Sequence, residues 1–258
     1  ESHTWVNWTV PAGATTNADG TVDILVANTN GCHIYSIEVG DNPQDDPENT
    51  GEINIDVTNF PDDNFRNWLL VQDYGKDGVL TEEEIESITY IDVHQKRISS
   101  LKGIEYFTAL RKLTCLYNQL TVLDLSKNTA LTTLYCYGNQ LTSLDVSKNA
   151  ELTILSCYDN QLTALDVSKN TVLTHLWCNN NQLTALDVSK NTVLTGLDCS
   201  QNHLTALDVS KNTALTGLGC SNNQLTALDV SKNKVLTSLS CDNNQLTALD
   251  VSKNTALG

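Results

Sequence analysis

The sequence lacks several features that common classes of protein require. It contains no methionine, even at position 1, so we expect a processed or cloned fragment. No apolar run approaches the ~20 residues that a membrane-spanning helix needs, so we expect no transmembrane segment. Aromatic residues make up only 6% of the 258 positions. A buried core therefore has to be built mainly from aliphatic side chains, and leucine supplies much of it.

Basic residues are also scarce, and this argues against nucleic acid as a partner. The formal net charge is −16, and residues 1–108 hold 20 acidic and 5 basic residues. Residues 109–258 are almost balanced, with 11 acidic and 10 basic residues. A protein that binds a phosphate backbone needs a stripe of Lys and Arg, and the sequence contains no such stripe.

What the sequence has in abundance is one repeated decapeptide, LTALDVSKNT. It begins at Leu162 and returns, almost unchanged, every 21 residues. Seven units run from 109 to 255 without insertion, and their consensus is L-T-x-L-x-C-x-x-N-Q-L-T-A-L-D-V-S-K-N-T-x. A fixed period of about 20–29 residues with L-x-x-L-x-L-x-x-N is typical of leucine-rich repeats. We therefore predict a leucine-rich-repeat solenoid over 88–258, in which 88–108 form a degenerate first coil.

Each unit consists of two similar halves, for example 173–181 and 183–191. The alternation of apolar and polar residues in both halves predicts a short strand on each long side of the coil, and hence a mostly β solenoid with parallel strands on both sides. No polar C-terminal cap is visible, so we expect the natural protein to continue past 258. In one coil, the side chains predicted to point inward are Leu173, Leu176, Cys178, Asn181, Leu183, Leu186, Val188 and Asn191.

Seven of the eight cysteines fall at one position of the repeat, and this spacing has three explanations. A disulfide framework is a poor fit, because the number is odd and neighbours in identical rotamers rarely meet disulfide geometry. A metal column is also a poor fit, because no His or second Cys accompanies each one. We favour a buried small hydrophobe. The seven are Cys115, Cys136, Cys157, Cys178, Cys199, Cys220 and Cys241.

The second half of each unit carries an outward Asp, followed three residues later by a Lys. Cation binding along the Asp column is one interpretation. We favour charge compensation between the two columns, because one Lys accompanies every Asp. The Asp column runs through positions 124, 145, 166, 187, 208, 229 and 250.

The outward positions of the Cys-containing half vary from copy to copy, whereas the LDVSKN half hardly varies. Contiguous exposed Tyr and Trp often mark a contact surface. The competing interpretation is neutral drift, with aromatics tolerated on a strand face. The aromatic patch that we predict as a ligand-binding surface comprises Tyr117, Tyr135, Tyr137, Tyr158, His175 and Trp177.

The chain before the repeats divides into three predicted segments. Residues 1–40 have the character of a partial β-sandwich, with two strands joined by an Asn-Gly turn. Residues 41–51 read as a solvated linker. Residues 52–87 predict a small helical, EF-hand-like cap, with one helix near 60–72 after an Asp cap and a second that begins after Thr81.

Between the two predicted helices, DYGKDGVLTEEE fits most of a calcium-loop template. Only the third position fails, because Gly75 offers no ligand. The competing interpretation is a helical cap without metal, joined by an ordinary Asp-Gly turn. The predicted ligands for a possible Ca²⁺ ion in the 73–84 loop are Asp73, Asp77, the Val79 carbonyl, Thr81 and Glu84.

The run from NFPDDNFRNWLL through RISSLKGIEYFTALRKLTCLYNQLT resembles the cap and first repeats of internalin-type bacterial surface proteins. The resemblance covers about 52–258 and implies a secreted or surface-anchored protein that binds host or microbial partners. It departs from that family in one respect, because internalin repeats have 22 residues and a 3₁₀ back. Internalin caps also need not bind calcium. Residues 1–40 weakly resemble the last strands of a bacterial extracellular β-sandwich module.

Three classes of function follow from these observations. The first is a non-enzymatic protein-binding or adhesion module on a bacterial surface, which we expect to be monomeric. The second is a glycan-binding module with aromatic stacking platforms. The third is an enzyme, and no Ser-His-Asp, Cys-His or paired-carboxylate constellation in the sequence favours it.

Overall fold

A computed structural model describes residues 21–28, 31–38 and 52–257. Of residues 21–38, only the backbone is described. The chain divides into two compact units, Glu1–Thr50 and Gly51–Gly258. Within the first unit, β1 (Thr21–Asn28) and β2 (Gly31–Glu38) form an antiparallel pair. The two strands predicted in this region are therefore present, whereas the linker over 41–51, its last residues included, and the rest of 1–40 lie outside the described residues.

The second unit begins with the two helices that the sequence predicted. Helix α1 spans Asp63–Leu70, and its N-cap is Asp62, whose side chain accepts hydrogen bonds from two backbone amides of the first turn. Helix α2 spans Glu82–Ser87 and begins with a complete capping box between Thr81 and Glu84. Both caps satisfy amide groups that have no partner inside the helix.

The segment between the helices is short and ordered by local bonds. A 3₁₀ turn at Asp73–Gly75 leads into β4 (Val79–Leu80), which pairs antiparallel with β3 (Ile53–Asn54). A second 3₁₀ turn at Ile104–Tyr106 lies in the degenerate coil. These elements bring Phe60, Phe65 and Leu69 into one buried cluster at the start of the solenoid.

The solenoid is a single parallel sheet of eight three-residue strands, one from each coil. Every strand pairs in register with the strand of the next coil, so equivalent residues form straight columns across the sheet. The degenerate coil contributes the first of them. The strands are β5 (Tyr90–Asp92), β6 (Lys112–Thr114), β7 (Thr133–Tyr135), β8 (Ile154–Ser156), β9 (His175–Trp177), β10 (Gly196–Asp198), β11 (Gly217–Gly219) and β12 (Ser238–Ser240).

The core consists of the repeat residues that were predicted to point inward. In the coil that begins at Leu173, all eight predicted positions are buried, with at most 7% of any residue exposed. Six of the seven repeat cysteines are buried free thiols, and Cys241 in the last coil is partly exposed. Burial raises the pKa of Cys115 to about 12. These thiols are therefore small apolar core residues rather than nucleophiles.

The prediction of strands on both sides of each coil is wrong for the LDVSKN side. Within 52–257, this side contains turns, bends and irregular backbone but no strand. The physical reason is local hydrogen bonding: the Asn170 amide bonds the Val167 carbonyl at 3.0 Å, and the Leu173 amide bonds the Asn170 carbonyl at 3.1 Å. Backbone groups used inside a turn are not available for a ladder with the next coil.

Buried asparagines connect the coils where the backbone ladder ends. On the strand side, Asn181 donates to the carbonyls of Cys157 and Cys178 at 3.1 Å and accepts from the Leu162 amide at 2.9 Å. On the opposite side, Asn191 donates to the carbonyls of Val167 and Asn170 at 2.9 Å. The Asn191 Oδ1 atom is buried without a hydrogen-bond partner among the described residues, and its equivalents in the other coils are the same.

Candidate binding face

The outward side of the eight-stranded sheet is the surface on which the coils differ. Because side chains alternate along a strand, the residues that flank the central apolar residue of each strand point away from the core. In β9 these are His175 and Trp177, while Leu176 between them is fully buried. We call this surface the variable face: the outward positions of β5–β12 together with the two positions that follow each Cys.

Three tyrosines on the first coils form a continuous stack. The rings of Tyr137 and Tyr158 lie parallel with centroids 4.1 Å apart, and Tyr117 contacts Tyr137 edge-on at 5.2 Å. Burial and the neighbouring Tyr137 hydroxyl raise the pKa of Tyr158 above its ordinary value of 10.0. Such ring pairs contribute roughly 0.5–1.5 kcal/mol beyond the area that they bury.

Tyr117 lies beyond the end of β6, in the turn that follows Cys115. It occupies the position just before the buried Asn of each coil, where the backbone is left-handed, with φ of 51° at Tyr117 and 67° at Gly138. The Tyr117 ring lies over Gly138, since a Cβ atom at Gly138 would come within 2.4 Å of the Tyr117 Cδ1 atom. Gly138 therefore makes the room that the tyrosine stack needs.

The remaining predicted residues form two further groups. His175 and Trp177 on β9 contact each other with ring centroids 5.3 Å apart. The Lys112 ammonium lies 4.8 Å from the centroid of the Tyr90 ring and 5.7 Å from that of Tyr135. Lys112 and Tyr90 were not predicted as site residues, although their column position was readable from the repeat register.

The variable face changes character between β9 and β10. Three of the strands up to β9, namely β5, β7 and β9, carry aromatic side chains, whereas the outward positions of β10 and β11 are Gly196, Asp198, Gly217 and Gly219. The face therefore has an aromatic end and an end where the backbone is nearly bare.

The Asp column on the opposite side has a structural role that the sequence analysis missed. Each Asp accepts a hydrogen bond from the backbone amide of the Ser two residues later, for example Asp187 Oδ1 from Ser189 at 2.8 Å. The amide and hydroxyl of Ser189 lower the pKa of Asp187 below its ordinary value. Over 52–257, no Lys of the neighbouring column lies within 4.0 Å of an Asp carboxylate, so the two columns do not form the interleaved ion pairs that the spacing suggested.

The 73–84 loop does not bring its predicted ligands together. Asp73 pairs with Lys76, Asp77 accepts from the Val79 amide at 3.1 Å, and Glu84 accepts from the Thr81 amide and hydroxyl at 2.9 Å. In the part of the chain that the structure describes, no group of three or more His, Cys, Asp or Glu residues is placed to hold a metal. Calcium binding stays a prediction, and equal calorimetric heats for the parent and Asp73→Ala would reject it.

Known proteins share the repeat and the column of cysteines. A family described as Leucine Rich repeat matches residues 200–222. Internalin J of Listeria monocytogenes is 48% identical over 71 residues, which are 27% of this chain and 8% of that protein. The functional domain of InlJ from Listeria monocytogenes, which includes a cysteine ladder, superposes with a TM-score of 0.64 at 40% identity, over 80% of this chain and 51% of that chain.

The chain is an internalin-like leucine-rich-repeat protein. The seven stacked cysteines of this internalin-like chain match the cysteine ladder of the InlJ domain in kind. The chain spans only about half of that domain and 8% of internalin J.

Two further structures share the fold of the internalin-like chain. Internalin C2 of Listeria monocytogenes superposes with a TM-score of 0.74 at 20% identity, over 80% of this chain and 95% of that chain. A leucine-rich-repeat protein of Leptospira interrogans gives a TM-score of 0.63 at 26% identity, over 67% and 49%. Among the described residues, no helix has the length and hydrophobicity that crossing a bilayer requires.

Proposed function

We propose that this chain is a non-enzymatic, extracellular protein-binding module of a bacterial surface or secreted protein, and that the variable face is its contact surface. The observation that carries the proposal is the division of the solenoid into two unlike sides. The strand side differs in almost every coil, while the LDVSKN side is nearly identical from coil to coil. Variation confined to one side of a shared backbone geometry is what a recognition surface produces, and the variants described below distinguish it from neutral drift.

The aromatic end of the variable face supports recognition of protein. Tyr, Trp and Arg are the residues that most often dominate the energy of protein interfaces. Stacked rings are held rigid before a partner arrives, so binding costs little side-chain entropy. The parallel Tyr137 and Tyr158 rings and the His175–Trp177 pair meet this description.

The same stacking argues against the glycan alternative. A sugar ring stacks on an open aromatic face, and the facing surfaces of the Tyr137 and Tyr158 rings cover each other at 4.1 Å. Tyr117 covers part of Tyr137 from another direction. The tyrosine stack therefore offers edges and hydroxyl groups to a partner, which suits an irregular protein surface better than a flat sugar ring.

The proposal is tested by probing arrays of extracellular host and microbial proteins, and glycan arrays, with the parent chain and three variants. Trp177→Ala and Tyr158→Ala remove rings of the variable face. Val193→Ala removes an apolar side chain that is more exposed than either ring, from the turn that precedes β10 and outside the variable face. We expect a protein ligand whose affinity falls by roughly tenfold or more for each aromatic variant and is unchanged for Val193→Ala.

Two results contradict this function. A protein ligand that binds all four chains equally would place the contact surface elsewhere. A glycan signal that disappears with Trp177→Ala, without any protein ligand, would replace the proposal by the glycan alternative. Circular dichroism of each variant shows that the solenoid is intact.

A further inference from the structure

The bare end of the variable face contains one glycine that the fold does not require. Gly196 makes room for His175, since a Cβ atom there would lie 2.9 Å from the His175 Cδ2 atom. Gly219 makes room for Asp198, whose Oδ1 atom would lie 2.7 Å from a Cβ. At Gly217 a Cβ would meet nothing within 4 Å, and its φ lies outside the left-handed region. Glycine inside a strand costs roughly 0.5–1 kcal/mol relative to Ala.

The surroundings of Gly217 are aromatic on one side and acidic on another. Across the sheet Gly217 pairs with Gly196, over which the His175 ring leans. Along its own strand lies Gly219, over which the Asp198 carboxylate leans. Asp198 in turn pairs with Trp177 on β9. An inserted side chain at Gly217 would therefore meet a ring wall and a carboxylate within one or two strand spacings of ~4.8 Å.

The charge of this part of the variable face has one sign. The five Cys-containing halves between 152 and 245 contain three carboxylates and no Lys or Arg. The carboxylates belong to Asp159, Asp198 and Asp242. Asp198 Oδ1 accepts one hydrogen bond from the Ser200 amide at 3.0 Å, which leaves a carboxylate with capacity for further donors. The complementary partner surface is cationic.

We propose that the open position at Gly217 is the anchor site for an arginine side chain on a basic segment of the protein partner. The guanidinium group is planar, so it stacks on the ring wall of His175 and Trp177 while its N–H groups bond the Asp198 carboxylate. An ammonium group fits less well, because it is a compact, strongly hydrated point charge without a flat face to stack on the rings. This inference rests on the proposed protein-binding function and adds the chemistry of the partner.

The test uses a defined probe, the peptide acetyl-Gly-Arg-Gly-amide, and its neutral isostere with citrulline in place of Arg. Both are titrated into the ¹⁵N-labelled chain and followed by NMR. The Arg peptide is expected to shift the Gly217 and Gly219 amides and the Trp177 indole signal saturably. The citrulline peptide is expected to bind roughly tenfold more weakly, because it lacks the charge.

Three variants complete the experiment. Gly217→Val places a Cβ atom where nothing lies within 4 Å, and it is expected to abolish the shifts while the chain stays folded. Asp198→Asn is expected to weaken binding roughly fivefold or more, and the matched charge change Asp208→Asn on the LDVSKN side is expected to leave it unchanged. Equal binding of the two peptides, or equal shifts along the Asp column of the LDVSKN side, would overturn the anchor site.

The two proposals fail in distinguishable ways. A protein ligand that is lost with Trp177→Ala but unaffected by Gly217→Val and Asp198→Asn would keep the contact surface and reject the arginine anchor. The opposite outcome is also possible to recognise: the Arg peptide binds saturably and needs Gly217 and Asp198, but no protein ligand depends on Trp177. That result would keep the arginine anchor and reject the wider contact surface.

Discussion

At the scale of single residues, the two columns of buried asparagine differ in how many hydrogen bonds each side chain makes. The amide of Asn181 satisfies two carbonyls and its oxygen satisfies the Leu162 amide, so it connects consecutive coils in both directions. The amide of Asn191 satisfies two carbonyls, but its oxygen is buried without a partner in the described structure. Deleting a buried group is costly mainly through the partners that it leaves unsatisfied.

We therefore expect Asn181→Ala to lower the free energy of unfolding by about 2–4 kcal/mol, and Asn191→Ala by about 1–2 kcal/mol. Urea denaturation followed by circular dichroism measures both. Asn180→Gly is the control, because its φ of 51° suits glycine and its side chain is exposed. Equal losses for the two buried asparagines would show that their different hydrogen bonding does not matter.

Gly138 is the residue on which the tyrosine stack depends. Its φ of 67° disfavours a side chain, and a Cβ atom would overlap the Tyr117 ring. We expect Gly138→Ala to destabilise the chain by about 1 kcal/mol and to separate Tyr117 from Tyr137, reducing the near-ultraviolet dichroism of the tyrosines. Gly217→Ala is the matched control and should be neutral or slightly stabilising. An unchanged tyrosine signal in Gly138→Ala would contradict the stacking role.

At the scale of secondary-structure elements, Asp62 joins the helical cap to the first coil. Its Oδ1 atom accepts from the Asn64 and Phe65 amides at 3.0 Å, and its Oδ2 atom accepts from the Ser99 amide at 2.8 Å and the Ser99 hydroxyl at 2.7 Å. Burial raises the pKa of Asp62, but these hydrogen bonds outweigh it, and the pKa lies below the ordinary value of 3.8. One carboxylate thus caps α1 and fixes its orientation on the solenoid.

The lowered pKa determines how the stability depends on pH. A carboxyl group whose native pKa is below its unfolded value of about 3.9 stabilises the fold above that pH, and the contribution is lost as the pH falls through the native pKa. We expect Asp62→Asn to cost about 1–3 kcal/mol at pH 7 and progressively less below pH ~4. The measurement is urea unfolding of the variant and the parent chain at pH 7 and below pH ~4. The neighbouring Asp63→Asn is the control, and a pH-independent loss for Asp62→Asn would reject the charge-based account.

The secondary-structure elements differ in how well the sequence predicts them. The caps at Asp62 and Thr81 were predictable, because each needs only one side chain and the amides of the next turn. The turns of the LDVSKN side were not predictable, because L-x-x-L-D-V alternates as a strand does. The Asp–Ser and Asn hydrogen bonds that form these turns are specific to this geometry. The left-handed backbone just before the buried Asn of each coil has a signal in the sequence, because Gly138, Asp159 and Asn180 are residue types that tolerate positive φ.

At the scale of the whole molecule, the period of 21 residues fixes both the core and the variable face. Parallel in-register pairing stacks like on like, so the identity of a column follows from the repeat alone. The composition of the candidate site was predictable for that reason. Ring contacts, the leaning of Asp198 over Gly219 and the open space at Gly217 depend on rotamers and on neighbouring coils, which no single repeat specifies.

The alternation that hides the cysteines is the same alternation that turns Tyr135 and Trp177 outward. If the thiols are buried, the variable face is exposed to solvent, and both functional proposals depend on that exposure. Burial raises the pKa of the thiols, for Cys115 to about 12, so both access and ionisation oppose reaction in the native state. Cys241 is the internal comparison, because it is partly exposed.

The most direct test is labelling with N-ethylmaleimide, resolved by site through mass spectrometry, with and without urea. We predict that Cys157 and Cys178 stay unlabelled under native conditions, that Cys241 reacts first among the repeat cysteines, and that all the repeat cysteines react in urea. Labelling of Cys157 and Cys178 in the native chain at the rate seen in urea would contradict the stacked coils and the variable face built on them.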